Sequence, residues 1–263
     1  MTQSLSIAPV EGVLAVDKPL GWTSHDVVAV LRGLLGLRRV GHGGTLDPLA
    51  TGVLVILAGA ATRDTERLHT SAKAYDALVR FGAETATDDR EGLTTREAQA
   101  PEMSPDALDH ALAPFRGAIE QIPPDYAAVK VGGRPAYARA RAGETLAQAP
   151  RQKTIHRLAI VEWSPPELRL LVVCSSGTYI RALARDIGRA LGSAAHLGGL
   201  RRIAVGGFGL TRASSLDALR AGGRLAATRR LVPLSNEDLL IDPRLLHDAP
   251  GDLVERVGPN GAG

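Results

Sequence analysis

A glycine-rich stretch from Gly41 to Gly52 carries a single carboxylate, Asp47, directly before a proline. Glycines let the backbone approach a ligand closely, and one well-placed carboxylate can act as a nucleophile or a base. The same residues also suit an Asx turn, in which the carboxylate only caps the loop. The stretch has neither the glycine spacing of a dinucleotide-binding loop nor the ending of a P-loop. Asp47 is therefore a candidate for chemistry, with a structural role as the alternative.

A second candidate cluster lies at the junction of a predicted strand and a predicted helix, between Cys174 and Arg181. Arg181, Arg185 and Arg189 follow one another at intervals of four residues, which places them in one stripe on a helix. A positive charge in the first turn of a helix opposes the helix dipole. Arg181 therefore predicts an anionic partner, either a carboxylate or a phosphate. The alternative is a surface arginine whose stem covers the core.

The charge of the chain is unevenly distributed, although its formal net value is only +3. Residues 126–202 hold 13 Lys+Arg against 4 Asp+Glu, whereas the remainder holds 18 against 24. A basic block of this kind favours a polyanionic partner, RNA or DNA first, with solvated surface arginines as the alternative. Aromatic residues make up only 3% of the chain. Its tyrosines are candidates for base stacking or for the core: Tyr75, Tyr126, Tyr137 and Tyr179.

Several classes of protein are disfavoured by composition. Cys174 is the single cysteine, which excludes an intramolecular disulfide framework and suits a reducing compartment. No apolar run approaches the ~20 residues of a membrane helix, and Met1–Pro9 lacks the pattern of a secretory signal. We therefore expect a cytoplasmic protein without a membrane partner. The histidines are too scattered to predict a zinc site.

The elements that must position these residues follow from apolar periodicity and capping signals. Thr23 or Ser24 can cap a helix that ends at Gly36, and the charged segment from Thr87 to Arg96 is predicted to be a turn. The main predicted strands and helices are strands 12–17, 53–57, 75–81, 155–163 and 167–174 and helices 24–35, 104–113 and 178–191. Strands mixed with helices, without steady alternation, predict an α+β fold with a mixed sheet.

Six motifs, taken in order, resemble the bacterial tRNA pseudouridine-55 synthases, the TruB type. They are the segments 17–24, 41–52, 73–75, 123–130, 177–181 and 200–202. The resemblance covers about residues 10–212. It implies a mixed, largely antiparallel sheet flanked by helices, with an RNA-gripping insertion at 123–153. It also implies an isomerase without cofactor or metal, which converts a uridine in the T-loop of tRNA, at position 55 of the tRNA, to pseudouridine after flipping the base.

The resemblance also assigns roles to residues. Asp47 matches the essential aspartate, and Tyr75 matches the tyrosine that packs on the target base. Arg181 matches the arginine that pairs with the aspartate, and an adjacent cation would keep that carboxylate ionised at neutral pH. His42 matches the histidine that fills the space left by the flipped nucleotide. The remaining substrate-binding candidates are Lys18, Lys130, Tyr179 and Leu200.

The chain departs from the family pattern at several positions. Glycine stands at Gly43 where the family usually has Thr, and serine at Ser176 where it usually has Lys. Ala127 and Val129 replace Ser and Leu. After the expected catalytic domain, residues 10–212, only a short extension follows at 213–263, so a complete PUA domain is not expected.

Other functions stay open beside the enzyme. One is a non-catalytic tRNA binder or folding chaperone, against which Asp47, Tyr75 and Arg181 all argue. Another is a synthase that depends on a guide RNA and partner proteins. The basic insertion and the short tail favour a monomer that acts on the T-arm of tRNA without a guide RNA.

Overall fold

A computed structural model describes residues 10–124, 130–131, 134–135 and 148–255. The described chain forms two compact units. The first unit contains the residues up to 72 together with 202–242, and the second contains 73–201 together with those from 243 onward. Among the described residues, no helix combines the length and apolarity of a membrane span.

The strands of the described chain are β1 (Gly12–Lys18), β2 (Val40–His42), β3 (Ala50–Ala58), β4 (Lys73–Phe81), β5 (Ala83–Thr85), β6 (Thr94–Glu97), β7 (Gly117–Gln121), β8 (Lys130–Val131), β9 (Arg134–Pro135), β10 (Arg151–Ser164), β11 (Glu167–Cys174), β12 (Ala195–Val205), β13 (Phe208–Gly209) and β14 (Ala213–Ser215). The α-helices are α1 (Ser24–Leu35), α2 (Thr65–Thr70), α3 (Pro105–Ala111), α4 (Ile180–Ala190), α5 (Leu216–Arg229), α6 (Arg244–His247) and α7 (Pro250–Glu255). Short 3-10 helices cover Gly59–Asp64, Ala113–Phe115, Leu210–Arg212 and Glu237–Leu239.

The first unit is built on strands that pair in the order β14-β1-β3, with β2 also on β3 and β13 on the end of β12. Strand β14 runs parallel to β1, whereas β3 runs antiparallel to it. Alternate residues of β1 enter two cores, as expected for a strand buried on both faces. Leu14 and Val16 pack under α1 and α5, whereas Val13 and Ala15 pack with Leu68 of α2. Residues 213–229 thus contribute a strand and a helix to the first unit.

Helix α1 begins and ends where its local sequence requires. Thr23 is the N-cap, and it forms a capping box with Asp26. Gly36 ends the helix in the left-handed conformation, with φ 67°, which glycine adopts without a steric penalty. The predicted helix 24–35 is therefore confirmed at both ends.

The second unit contains four antiparallel strands in the order β4-β11-β10-β7. Helix α4, within the predicted helix 178–191, buries Ile180, Leu183, Ala184 and Ile187, which recur at the spacing of one helix face. The segment 87–96, predicted to be a charged turn, turns over most of its length and then enters β6. The turn joins two strands that the sequence does not predict, β5 and β6, which pair antiparallel. The four residues of β6 are all exposed, so the strand lacks the apolar alternation by which strands are predicted.

The α+β class with mixed, largely antiparallel strands and flanking helices is confirmed. The insertion expected at 123–153 lies largely outside the described residues, apart from its ends and the short strands β8 and β9.

Candidate active site

Asp47 lies half-buried in the loop between β2 and β3. Each backbone carbonyl from residue 44 to residue 48 accepts a hydrogen bond within the first unit. The donors, in chain order of the carbonyls, are two nitrogens of Arg202, the hydroxyl of Ser24, the N–H of Ala50 and the N–H of Gly21. A loop with all these carbonyls bonded has little freedom to move. The backbone from which the Asp47 carboxylate extends is therefore held in place.

The segment between β1 and α1 supports this loop from one side. The hydroxyl of Ser24 donates to the carbonyl of Leu46 at 3.2 Å and accepts from its N–H at 2.8 Å. The N–H of Gly21 donates to the carbonyl of Pro48 at 2.9 Å. Lys18 is fully buried. The motif 17–24 therefore supports the backbone on both sides of Asp47.

Lys18 makes its hydrogen bonds to the backbone. Its Nζ donates to the carbonyls of Trp22 at 2.6 Å, of Pro19 at 2.9 Å and, more weakly, of Pro48 at 3.5 Å. The sequence predicts a substrate-binding role for Lys18, but a fully buried ammonium bonded to carbonyls is suited to supporting the loop.

Two of the titratable groups around the loop have strongly altered proton affinities. Burial, and next the positive charge of Arg202, lower the pKa of Lys18 to about 8, against the opposing effects of Asp47 and Asp26. Burial also lowers the pKa of His42 to about 4. The His42 imidazole is therefore neutral at pH 7, and its Nδ1 accepts from the N–H of Gly44 at 3.3 Å.

His42 packs edge-on against His25, with the ring centroids 5.5 Å apart and the rings at 87°. This contact and the bond from Gly44 hold a neutral, half-buried ring at the start of the loop that carries Asp47. A ring in this state can pack among bases without the cost of burying a charge.

Gly43, one of the departures from the family pattern, is explained by packing. A Cβ atom at residue 43 would lie 2.8 Å from Cβ and 3.0 Å from Cδ1 of Leu68. Leu68 is fully buried in the core under α2. The absence of a side chain at Gly43 therefore makes room for Leu68.

In the second unit, the arginine stripe of α4 faces the hairpin of β5 and β6. Nη1 of Arg181 donates to the carbonyl of Thr87 at 2.9 Å and lies 3.6 Å from Oδ2 of Asp89. Nη1 of Arg185 donates to Oδ2 of Asp88 at 2.8 Å. Arg181 and Arg185 are both buried. The anionic partner that the sequence predicts for Arg181 thus includes a carboxylate of its own unit.

Glu84 completes the ion pairs between the hairpin and α4. Arg189 donates to both oxygens of Glu84, at 3.0 and 2.7 Å, and Arg96 donates twice to Oε1, at 3.1 and 2.6 Å. The hydrogen bonds from Arg189, and then those from Arg96, lower the pKa of Glu84 to about 2 against the effect of its burial. The hairpin is therefore fastened to α4 by a carboxylate that is ionised at all ordinary pH values.

Asp88 behaves in the opposite way, because burial outweighs the attraction of Arg185 and raises its pKa to about 6. Its backbone is left-handed, with φ 58°, a conformation that aspartate tolerates better than most residues. The N–H of Asp88 donates to the carbonyl of Thr85 and its own carbonyl accepts from Leu197. The turn that presents Asp88 and Asp89 to the arginines is thereby held by backbone bonds.

The remaining candidates of the second unit lie on regular elements. Tyr75 is buried in β4, in register with Val172 of β11. Tyr179 precedes α4. The side chain of Gln121 donates to the carbonyl of Tyr179 and accepts from the N–H of Tyr179, both at 3.1 Å. Leu200 is half-buried in β12. The backbone of Lys130 belongs to β8, but its side chain lies outside the described residues, as do Tyr126 and Tyr137.

The structure thus places Asp47 in a loop of the first unit, with His42 at the end of β2 and Lys18 at the end of β1 beside it. Tyr75, Tyr179, Arg181 and Leu200 belong to the second unit. Sequence reasoning missed the roles of Ser24 and Arg202. A serine at the start of a helix predicts an N-cap, so the sequence alone does not distinguish that role of Ser24 from support of the loop. The available signal for Arg202 was its place in the motif 200–202.

Comparison with known proteins gives consistent matches over most of the chain. The family model described as TruB family pseudouridylate synthase (N terminal domain) matches residues 32–180. The model described as tRNA pseudouridylate synthase B C-terminal domain matches residues 181–232. A protein named tRNA pseudouridine synthase B from Xanthomonas campestris pv. campestris (strain B100) is 45% identical over 221 residues, covering 84% of this chain and 72% of the relative. One of the same name from Thermobifida fusca (strain YX) is 48% identical over 219 residues, covering 80% and 75%.

Two solved structures resemble the chain at lower sequence identity. A chain of the crystal structure of a Cbf5-Nop10-Gar1 complex aligns with a TM-score of 0.66 and 29% identity, covering 84% of this chain and 60% of that chain. A chain of the structure of an H/ACA RNP bound to a substrate RNA containing 2'-deoxyuridine aligns with a TM-score of 0.58 and 29% identity, covering 78% and 51%. The chain therefore spans about half to three fifths of these larger proteins.

Proposed function

The chain belongs to the TruB family of pseudouridylate synthases, and on this basis we propose that it converts the uridine at position 55, in the T-loop of tRNA, to pseudouridine. As a member of this family it is an isomerase that acts on tRNA uridine. The observation that carries the proposal for this chain is the Asp47 loop, where a single carboxylate stands on a backbone whose carbonyls are bonded from residue 44 to residue 48.

The chemistry explains why one carboxylate suffices. The N1 glycosidic bond breaks, the base turns, C5 bonds to C1′, and the proton on C5 leaves. A nucleophile or base beside the sugar and base serves these steps, whereas glycoside hydrolysis usually needs a pair of carboxylates. We assign the nucleophile or base to Asp47.

The target base must leave the T-loop to react. Extrusion of a base costs a few kcal/mol, and stacking on an aromatic ring returns about 1–3 kcal/mol. We assign stacking to Tyr75 and the filling of the vacated space to His42, whose neutral ring suits contact with bases. Tyr179 and Leu200 are proposed to line the pocket, and Lys130 to contact the RNA backbone, whereas Lys18 is proposed to support the Asp47 loop.

Arg181 is proposed as the third catalytic residue. Its pairing with Asp47 stays a prediction. In the second unit it is held by Thr87 and Asp89, so its guanidinium is oriented by fixed partners. Arg181→Met is expected to lower turnover more than RNA binding, whereas equal losses would indicate a phosphate-binding role.

We further propose that the protein acts without a guide RNA. Its relatives at 45–48% identity are named as tRNA pseudouridine synthases, whereas the complexes with several partners resemble it at 29% identity. A reaction with the purified protein and tRNA alone tests this part. If product forms only after an added guide RNA, this part is wrong.

The test of the function is tritium release from a T-arm stem-loop labelled at C5 of uridine. We expect release by the wild-type protein, none by Asp47→Asn, and wild-type release by Asp217→Asn, an exposed carboxylate of the same unit. Replacing the uridine at position 55 by cytidine should abolish release. Absence of release by the wild type, with tight binding intact, would instead support a tRNA binder or folding chaperone.

A further inference from the structure

Arg202 lies fully buried in β12, at 1% exposure, and is among the largest side chains so enclosed. Its guanidinium spans the two arms of the Asp47 loop. Nη2 donates to the carbonyl of Gly44 at 3.0 Å and Nη1 to that of Thr45 at 3.2 Å, whereas Nε donates to the carbonyl of Val53, in β3, at 2.7 Å. One rigid planar group therefore ties the start of the loop to the strand that follows it.

The backbone of Arg202 is pressed against the end of the same loop. A Cβ atom at Gly52 would lie 2.2 Å from the carbonyl oxygen and 2.9 Å from the nitrogen of Arg202. Gly52 also has φ 100°, a conformation that L residues with side chains rarely adopt. The loop is therefore fitted to Arg202 at both ends, by its side chain at residues 44–45 and by its backbone at residue 52.

An apolar side chain in such a core position would avoid the cost of removing a charge from water. Burying a guanidinium carries a large desolvation penalty, which must be offset by well-directed hydrogen bonds. Arg202 also acts on the other buried cation of the loop, because its charge is the second-largest cause of the lowered Lys18 pKa. Two cations are thus buried around one carboxylate-bearing loop, an arrangement that carries an electrostatic cost.

We propose that Arg202 is a positioning residue for the reaction: its guanidinium holds residues 44–53 so that the carboxylate of Asp47 meets the target nucleotide in one orientation. The inference rests on the proposed function. Arg202 is almost inaccessible, so it acts through the loop and not through contact with RNA. A displacement of the reacting group by about 1 Å can reduce a rate about 10²-fold, which gives the expected size of the effect.

The test separates RNA binding from chemistry. Single-turnover rates at saturating T-arm RNA and separate dissociation constants are measured for wild type, Arg202→Ala and Arg202→Lys. We expect Arg202→Ala to lose about 10²-fold in rate while the dissociation constant changes little, with Arg202→Lys in between because an ammonium lacks the planar fork. Guanidinium ion at sub-denaturing concentration should partly restore the rate of Arg202→Ala and not that of Asp47→Asn.

Arg212→Met is the matched control. Arg212 belongs to the same unit, donates to the carbonyl of Gly207 and to Asp238, and stacks on Phe208 at 4.3 Å, but it does not bond to the loop. It should lose stability and keep the wild-type rate. If Arg202→Ala does not fold, Arg202→Lys carries the test.

Two results would overturn the inference: a folded Arg202 variant with the wild-type rate, or equal losses of binding and rate without rescue by guanidinium. Failure of the proposed function is distinguishable, because then the wild-type protein itself releases no tritium.

Discussion

The hydroxyl of Ser24 is bonded twice to the backbone of Leu46, donating to its carbonyl and accepting from its N–H. Ser24 is the first residue of α1, and Leu46 precedes Asp47. The helix start is thereby joined to the loop that carries the candidate catalytic carboxylate. Both groups are buried, so water cannot replace either bond if the hydroxyl is removed.

Ser24→Ala is expected to lower both stability and turnover. Leaving a buried N–H and carbonyl unsatisfied costs about 1–3 kcal/mol in free energy of unfolding, and the freed loop should lower kcat more than RNA affinity. Denaturant unfolding and tritium-release kinetics measure the two effects.

Thr23→Ala is the control for Ser24→Ala. Thr23 is the N-cap of α1, and losing it costs about 1 kcal/mol. The side chain of Thr23 is hydrogen-bonded to Asp26, and within the described part of the chain it makes no hydrogen bond to the Asp47 loop. Thr23→Ala should therefore lose stability and keep kcat. A similar fall in kcat for both variants would show that lost stability, and not the loop, limits turnover.

Restoring the family's usual residue at Gly43 should be harmful in this chain. Gly43→Thr would bring Cβ to within 2.8 Å of Cβ of Leu68, and overpacking of this kind costs about 1–3 kcal/mol. Leu68→Ala removes Cδ1 and Cγ, which would lie 3.0 and 3.4 Å from the new Cβ, but keeps Cβ of Leu68, so it relieves the crowding in part. We expect the double variant to lose less free energy of unfolding than the two single variants lose together. Denaturant unfolding of all four proteins gives this difference as a coupling free energy. Additive losses would mean that the two positions do not compete for space.

The parts of the fold that the sequence predicts are those fixed by local chemistry. The limits of α1 follow from Thr23 and Gly36, whose capping roles depend on adjacent residues. The apolar stripe of α4 predicts its buried face. In contrast, the strands on either side of the predicted turn, β5 and β6, are not predicted, because β6 is exposed at all four residues and has no apolar alternation.

The candidate site divides in the same way. The glycine-rich loop identified Asp47, and the spacing of Arg181, Arg185 and Arg189 predicted a stripe with anionic partners. Those partners, at residues 84–89, lie about a hundred positions away in the chain. Local patterns of residue spacing do not predict contacts between residues so far apart. The support that Ser24 and Arg202 give to the loop is not predictable for the same reason, since their hydrogen bonds to it span 22 and up to 158 positions.

Tyr75 gives a test of the stacking role. Tyr75→Phe retains the aromatic face, whereas Tyr75→Ala loses stacking worth about 1–3 kcal/mol per base. We expect Tyr75→Ala to bind T-arm RNA much more weakly than Tyr75→Phe in equilibrium titrations. Because Tyr75 is buried in β4, thermal unfolding of both variants must accompany the titrations. Turnover of Tyr75→Phe as low as that of Tyr75→Ala would assign the hydroxyl a chemical role.

The ion pairs of Glu84 should make stability depend on pH in the acid range. The pKa of Glu84 is about 2 in the folded protein and about 4.3 in an unfolded chain. A carboxyl group whose pKa is lower in the folded state binds protons more tightly when unfolded, so it stabilises the fold above the unfolded pKa. This contribution should be lost as the pH falls from about 4.3 towards 2.

Glu84→Gln removes the charge and keeps the shape. The variant should be less stable than wild type at pH 7, and the difference should shrink as the pH falls below about 4. Asp109→Asn is a suitable control, because Asp109 is a more exposed partner of Arg116 in the same unit, and surface pairs contribute about 0–1 kcal/mol. Denaturant unfolding between pH 7 and pH 3 provides the measurement. A difference between wild type and Glu84→Gln that stays constant over this range would show that packing, and not the charge held by Arg96 and Arg189, accounts for the stability that Glu84 supplies.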